Sequence, residues 1–442
     1  MKYSIFGIYH LAHKLALLLS DLVMLALTFY AATKYRLHET PDYLSVEYIG
    51  LSIILIFCLF IGGAYTSSGI ASRPKLPLNT FFTVLAAAMP SLLFIYLLGP
   101  ERFTALLGRG IFPFAIIGFG LTSMLSRMIV NRIFHDPAAS RKVLLLGSID
   151  TNGRIYQALS TSHLQLDVWH SRILDPRLSG ANGYSAIVVC PDHKPGEIEQ
   201  QTLINHRLAG VPIFSLSDFF ESFLFLVPVQ EIDNHWFIRT EGFTMLHSSV
   251  ATRIKRGVDI VAAIFLLIVT MPIMAVTALV IKLSSRGPVF FSQIRVGFKG
   301  VPFTLYKFRT MHDNAEKQGA QWATNNDPRV LPLGHFLRKS RIDELPQCWN
   351  ILKGDMSIIG PRPERPEFTS ELANDIPYYD LRHIIKPGLT GWAQVNYPYG
   401  ASTEDALRKL QYDLYYIKNY SLFLDLNITL RTLITIFQRS GR

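Results

Sequence analysis

A chain of 442 residues is too long for a single ordinary domain, and with 49% hydrophobic but only 17% charged residues it is too poor in charge for a wholly soluble one. The formal net charge of +10 raises the question of nucleic acid, yet no recognisable nucleic-acid module accompanies the Lys and Arg, and anionic lipid headgroups and phosphate-bearing ligands account for the excess. Cys58, Cys190 and Cys348 have no CxxC or Cys/His ligand spacing, so neither a disulfide framework nor a zinc site is indicated. Four apolar segments open the chain, at about 15–33, 47–66, 79–98 and 111–130, each long enough to cross a bilayer. They predict a four-helix transmembrane bundle over residues 1–135. A signal peptide is the alternative for the first, since Lys14 precedes it and Ala31-Ala32 ends it, but the apolar stretch is long for that role and has no convincing cleavage triplet. Asp21 lies inside this segment, where an unpaired charge costs about 2.5–3.5 kcal/mol, so it must face the bundle or a polar partner. Basic residues orient the bundle with the N-terminus inside. Lys2, Lys14, Arg73, Lys75, Arg127, Arg132, Arg141 and Lys142 then lie on the cytoplasmic side against Lys34, Arg36, Arg102 and Arg109 outside, eight to four.

Residues 136–250 have the composition of an α/β domain. Val143–Leu146 is strand-like and is followed by Gly147, a polar loop, Gly153 and a helical stretch over 154–159, a Rossmann-like opening without the GxGxxG fingerprint. Ala186–Cys190 and Val211–Phe214 read as later buried parallel strands with a helix near 197–209 between them. The expected use of this domain is structural, dimerising or regulatory. His163, His170, His193 and His206 share no ligand spacing and read as surface or loop residues.

Residues 258–281 form another apolar run long enough to span. Both flanks are basic, Arg253, Lys255 and Arg256 before and Lys282 and Arg286 after, which predicts that both ends stay cytoplasmic. Pro272 near the middle removes a backbone donor and breaks or bends the helix. The segment is therefore expected to dip in and return, with Thr270 a candidate to satisfy the freed backbone; a kinked spanning helix is the alternative.

Beyond it the charges concentrate. Lys307 and Arg309 share one face of a strand-like Phe303–Arg309 with Phe303 and Leu305, where they call for an anionic partner, although a plain edge strand with snorkelling bases gives the same pattern. Asp343-Glu344 follows the basic stretch Arg338-Lys339-Ser340-Arg341 and precedes the phosphate-suited run Gly354–Pro363. Adjacent carboxylates can divide phosphoryl chemistry, one attacking phosphorus and the other helping to hold a divalent cation, while guanidiniums neutralise phosphate. Pro346 predicts that the pair opens the helix running towards Leu352, where a helix N-terminus favours the ionised carboxylate and welcomes phosphate, against the like charge of Glu344. Lys386–Asn396 combines glycines with Trp392 and Gln394 and is suited to wrap a nucleotide base, though Trp392 reads equally as a core anchor. Tyr412, Tyr415, Tyr416, Tyr420 and Phe423 mark an aromatic-rich helix, and Leu424–Phe437 fits the membrane interface, since Asp425, Asn427 and Arg431 interrupt it.

The series Lys255-Arg256, Asp259, Phe290–Gln293, Arg295–Gly297, Tyr306–Met311, Asp343–Gln347, Gly354–Ser357, Pro361–Pro363 and Lys386–Asn396, in that order, resembles the bacterial sugar transferase family of monotopic phosphoglycosyl transferases. The resemblance covers about residues 251–442, and the front half is similar to the longer members. It implies a mainly helical catalytic domain over 251–442 with a re-entrant membrane helix at about 258–281. It implies transfer of a hexose 1-phosphate from a UDP-sugar, UDP-glucose or UDP-galactose, to undecaprenyl phosphate with release of UMP, the initiating step of exopolysaccharide, capsule or O-antigen assembly. By the same resemblance Asp343 is the nucleophile, Glu344 the residue associated with Mg²⁺, and Arg362 a phosphate-holding arginine. Lys307, Arg309, Arg338, Arg341, Trp392 and Gln394 complete the expected substrate site. The implied setting is the bacterial inner membrane with the catalytic domain facing the cytoplasm. Partners are membrane lipids and a second copy through the middle domain, with no nucleic acid. Two other classes compete: an NAD-dependent sugar-nucleotide epimerase, against which the broken glycine fingerprint counts, and a non-enzymatic membrane regulator, which leaves Asp343–Arg362 without a use.

Overall fold

The structure is a computed structural model that describes residues 2–38, 40–65, 76–99, 110–133, 142–148, 155, 159, 166–172, 174, 184–312, 327–397, 400 and 402–437, with the backbone alone for 2–12, 37, 76, 131, 244, 247 and 437. Arg73, Lys75, Arg102, Arg109, Arg141, His163 and most of the stretch 154–159 lie outside the described residues. The chain divides into two compact units, residues 1–224 and 225–442.

The first unit opens with helices α1 (Lys2–Leu37), α2 (Val46–Ile61), α3 (Leu76–Leu97) and α4 (Ile111–Ile133). Helix α1 packs on α4, α4 on α3 and α3 on α2. His13–Arg36, Pro77–Leu97 and Ile111–Val130 are long and apolar enough to cross a membrane, as is the later helix Ser249–Ser284. Helix α2 is equally apolar but has only 16 residues, about 24 Å at 1.5 Å per residue, less than the ~30 Å hydrocarbon core. Asp21 has the polar partner its position demands. It is fully buried and accepts from both Nη atoms of Arg127 at 2.8 Å, from Ser123 Oγ at 2.5 Å and from Tyr65 Oη at 2.5 Å. Arg127 is therefore a bundle residue rather than a flanking charge, and its removal turns the eight-to-four balance of basic residues into seven to four.

The second part of this unit is a four-stranded parallel sheet, β1 (Lys142–Leu146), β2 (Asp167–Ser171), β3 (Ala186–Val189) and β4 (Ile213–Ser215), in the order β2-β1-β3-β4. Helix α5 (Glu197–Leu208) makes the crossover from β3 to β4. Continuous apolar runs give β1 and β3 their buried central places, as expected for strands covered on both faces. His170 lies in β2 and is exposed, but His206 is buried on α5 at 7% exposure, contrary to its expected surface position, because it shares the inner face of the helix with Leu203. His193 is paired with Glu199 at 3.1 Å.

The second unit starts at Phe225, earlier than the expected boundary at 251. The reason is apolar packing: Val227 and Val229 enter the same core as Leu410, Leu414 and Ile417 of the later helix Thr403–Lys418, and the backbone bonds Val227 N to Gln411 O and Phe243 N to Lys418 O tie the segment down. Helix α6 (Ser249–Ser284) follows and runs helically through Pro272, where a break was expected. Proline leaves the Ile268 carbonyl without its usual donor, but Thr270 Oγ1 bonds Leu266 O, not Ile268 O, so the expected rescue is not the one made. The antiparallel pair β5 (Phe290–Val296) and β6 (Pro302–Phe308) comes next. It is followed by α7 (Pro332–Lys339), α8 (Gln347–Lys353), β7 (Ser357–Ile359), β8 (Gly388–Thr390), α9 (Thr403–Lys418) and α10 (Leu422–Phe437). Strands β7 and β8 pair in parallel, joining the two glycine-bearing motifs. A Cβ on Gly388 would come within 2.1 Å of Gly360 N, so only glycine permits that approach.

Both ends of α6 are fastened within this unit. At its start Lys255 pairs with Asp425 at 2.8 Å, Arg256 donates to the Ile351 and Leu352 carbonyls, and Asp259 Oδ1 accepts from Ser357 Oγ and Ile358 N at 2.9 Å. At its end Ile281 packs with Phe308 and Leu337, and Arg309 Nη2 donates to Ser285 O at 3.1 Å. Between these ends Phe265, Ile268, Val269, Met271, Ile273 and Val276 are exposed.

Candidate active site

Asp343 and Glu344 lie in a short 3-10 turn, Ile342–Glu344, set between α7 and α8. Arg341 takes the left-handed conformation (φ 60°) that turns the chain out of α7, and Glu344 N and Leu345 N then close onto Arg341 O and Ile342 O. The pair therefore stands in a 3-10 turn that continues through right-handed Leu345 and Pro346 into the helix towards Leu352. The regular part of α8 begins at Gln347 with Pro346 as its cap, and burial followed by the charge of Glu344 pushes the Asp343 pKa up, where a helix terminus alone would lower it.

Both carboxylates are buried, at 6% exposure each, but their surroundings are opposite. Glu344 Oε1 accepts from Arg362 Nη2 at 2.7 Å and Lys307 Nζ at 3.0 Å, with Arg341 Nη1 at 3.6 Å. Burial would push its pKa up, but Arg362, Lys307 and Arg341 outweigh burial and hold the carboxyl well below the usual range. Glu344 in turn raises the pKa of Arg362, while burial lowers that of Lys307. Asp343 has a buried Oδ1 with no hydrogen-bond partner, and burial followed by the charge of Glu344 pushes its pKa up. The environment thus separates the two acids, leaving one engaged by cations and the other with a bare oxygen beside them.

Of the expected site residues, Lys307, Arg341 and Arg362 converge on Glu344. Arg338 Nε is held by Thr310 Oγ1 at 2.9 Å at the end of α7, and the charge of Asp343 acts on it. Arg309 departs from the expectation. Strand β6 ends at Phe308, so the alternation that would put Arg309 beside Lys307 ends there too, and the buried guanidinium turns to Ser285. Trp392 also departs, because it is a core residue: 3% exposed, its Nε1 donating to Phe225 O at 2.9 Å, its ring stacked on Tyr415 and covered by Arg431. Gln394, in the short helix Trp392–Asn396, donates from Nε2 to Leu389 O of β8 at 3.2 Å, and its Oε1 is buried without a partner. Two residues that the sequence reading does not single out for the site, Arg382 and Asp413, stand directly behind Arg362. Arg382 donates to the Arg362 carbonyl at 3.0 Å and to Asp413 Oδ2 at 3.0 Å, and burial pushes the Asp413 carboxyl up to about 6.

Among the described residues no group of three or more His, Cys, Asp or Glu side chains converges. A Mg²⁺ ion nevertheless fits, because that cation commonly takes one or two carboxylates and completes its shell with substrate phosphate oxygens. Glu344 is the carboxylate that would hold it, and the partnerless Asp343 Oδ1 stands beside it.

A buried carboxylate pair with Lys307, Arg341 and Arg362 gathered on Glu344 is an arrangement suited to a phosphate-bearing ligand. Residues 250–439 match the bacterial sugar transferase family. The chain is 42% identical over 272 residues to a UDP-N-acetylgalactosamine-undecaprenyl-phosphate N-acetylgalactosaminephosphotransferase of Aeromonas hydrophila, covering 61% of this chain and 63% of the relative. It is 42% identical over 187 residues to a UDP-glucose:undecaprenyl-phosphate glucose-1-phosphate transferase of Escherichia coli K12, covering 42% and 40%. An uncharacterised sugar transferase of Bacillus subtilis is 43% identical over 192 residues, which are 42% of this chain and 89% of that protein. The chain belongs to the bacterial sugar transferase family. It spans less than two thirds of the length of the first two relatives.

Proposed function

We propose that the protein transfers a hexose 1-phosphate from a UDP-sugar to undecaprenyl phosphate, releasing UMP, through a phosphosugar carried on Asp343. One observation carries this reading: Asp343 presents a partnerless buried oxygen beside a glutamate held by three cations, on a chain of this family. Asp343 attacks the phosphorus attached to the sugar, the bond to UMP breaks, and the acceptor phosphate then attacks the aspartyl mixed anhydride and frees the carboxylate. Arg362, Lys307 and Arg341 hold Glu344 and supply positive charge towards the equatorial oxygens. Glu344, together with the donor phosphates, would hold a Mg²⁺ ion, which would supply neutralisation of the charge that develops on the departing UMP. Glucose and N-acetylgalactosamine both occur in the relatives' names, so the donor class is UDP-hexose, extended beyond UDP-glucose and UDP-galactose to the N-acetyl sugars. The product is the first lipid-linked sugar of a surface polysaccharide. The test is incubation of membranes with labelled UDP-glucose, UDP-galactose and their N-acetyl relatives: label entering an organic-extractable lipid is expected, and a water-soluble isomer in its place contradicts the reading.

The proposed setting is the inner membrane, with α6, helical through Pro272, entering the membrane but keeping both of its ends on the cytoplasmic side, so that the site faces the cytoplasm. Support comes from the anchoring of both its ends in one compact unit, from basic residues on both flanks and from an exposed apolar middle. Single cysteines introduced at Val250 and Pro288 should both react only with cytosolic reagent, and labelling of either from outside overturns the re-entrant arrangement. The parallel sheet is proposed as a Rossmann-like domain with a structural, dimerising or regulatory role, supported by its strand order and by the absent glycine fingerprint.

A further inference from the structure

Arg362 sits between Pro361 and Pro363 in a stretch without regular secondary structure, and proline brings no N–H with which to anchor the backbone. The backbone is gripped instead from outside by two arginines on consecutive carbonyls. Arg382 Nη2 donates to Arg362 O at 3.0 Å, and Arg295 Nη1 donates to Pro363 O at 3.2 Å. Each gripping group is itself fixed. Arg382 is bound to Asp413 Oδ2 at 3.0 Å and Tyr379 Oη at 2.6 Å. Arg295 is bound to Gln293 Oε1 at 2.7 Å, with Glu364 at 3.6 Å. Arg382 and Asp413 are 4% and 1% exposed, so neither reaches a ligand directly. What Arg382 touches that reaches the site is the backbone of Arg362, whose guanidinium meets Glu344 at 2.7 Å.

We infer that Arg382, backed by Asp413, and Arg295 are positioning residues that clamp the 362–363 backbone so that Arg362 engages Glu344. This rests on the proposed function for what Arg362 is set up to do, but the clamp itself is a matter of geometry. A backbone shift of about 1 Å is carried to the guanidinium, and displacements of that size cost on the order of 10²-fold in rate when they disturb reacting groups. Lysine at 382 keeps the charge beside Asp413 but cannot reach the Arg362 carbonyl, Tyr379 and Asp413 together in the same fork.

The experiment treats the full-length protein with a carbodiimide and glycinamide and reads modification of individual carboxyls by peptide mass spectrometry. In wild type Glu344 is expected to be protected by its cations. Arg382→Lys should raise its modification several-fold, as far as Arg362→Gln does, and the double variant should go no further. Asp327, held by Arg329, should stay protected throughout. Wild-type protection of Glu344 in Arg382→Lys, an additive increase in the double variant, or a parallel rise at Asp327 each overturns the clamp. Should Arg382→Lys fail to fold, Arg295→Lys carries the same expectations. In transfer assays the variant should lose about 10- to 100-fold in kcat with the donor KM within about threefold. The two ideas fail separately: a wild-type chain that transfers nothing sinks the functional reading, while the labelling still decides the clamp.

Discussion

Asp343→Asn should abolish transfer, with a loss on the order of 10³-fold or more, the scale on which removal of a covalent nucleophile acts elsewhere. The substitution keeps the shape of the side chain and removes only the charge that must attack phosphorus. Stability should not suffer. Burial and the neighbouring Glu344 charge push the Asp343 pKa up, so the ionised form is costly in the folded state, and a neutral amide at that position should melt no lower than wild type. Donor binding should survive as well, because Arg362, Lys307 and Arg341 are held by Glu344 rather than by Asp343. The informative comparison is thermal unfolding beside initial rates of lipid-linked product. A variant that melts normally, binds donor and transfers nothing matches the account; one that transfers at even a tenth of the wild-type rate does not.

Arg127→Met should be the most damaging single change in the membrane bundle. Asp21 and Arg127 are each fully buried, joined by two bonds of 2.8 Å, and Ser123 and Tyr65 occupy the remaining acceptor positions of the carboxylate. Breaking such a pair leaves an uncompensated buried charge and costs about 3–5 kcal/mol, whereas replacing both partners by apolar groups is often neutral. Asp21→Leu combined with Arg127→Met should therefore recover most of the loss. Unfolding in detergent, followed for the two single variants and the double, gives the coupling directly. Additive losses would show that the pair does not act as a unit.

What the sequence discloses follows from how local each signal is. Apolar runs of about twenty residues announce α1, α3, α4 and α6, and short continuous apolar runs announce β1 and β3, because burial on all sides leaves a continuous signature. Strand β2, with the sequence Asp-Val-Trp-His-Ser, escapes this reading. It is an edge strand paired only with β1, largely exposed, and has no apolar run to mark it. The dyad and its cations are legible because acid and base are packed into short motifs, even though Lys307 and Arg362 reach Glu344 across 37 and 18 residues. Arg382 and Asp413 are isolated charges in the sequence, and only the fold brings them to the Arg362 carbonyl. Trp392 stands in a glycine-rich motif suited to a nucleotide, yet the core formed by Phe225 and Tyr415 claims its ring. That competing partner comes from a segment 167 residues away, beyond the reach of any local pattern.

The covalent step is the central claim, and a single turnover without acceptor tests it most directly. Purified protein mixed with UDP-sugar alone should release UMP in a burst that does not exceed one equivalent per chain. The peptide containing Asp343 should gain the mass of one sugar phosphate, and Asp343→Asn should show neither. Release of UMP only after undecaprenyl phosphate is added, with no adduct on that peptide at any time, would contradict the account and make the transfer a direct displacement.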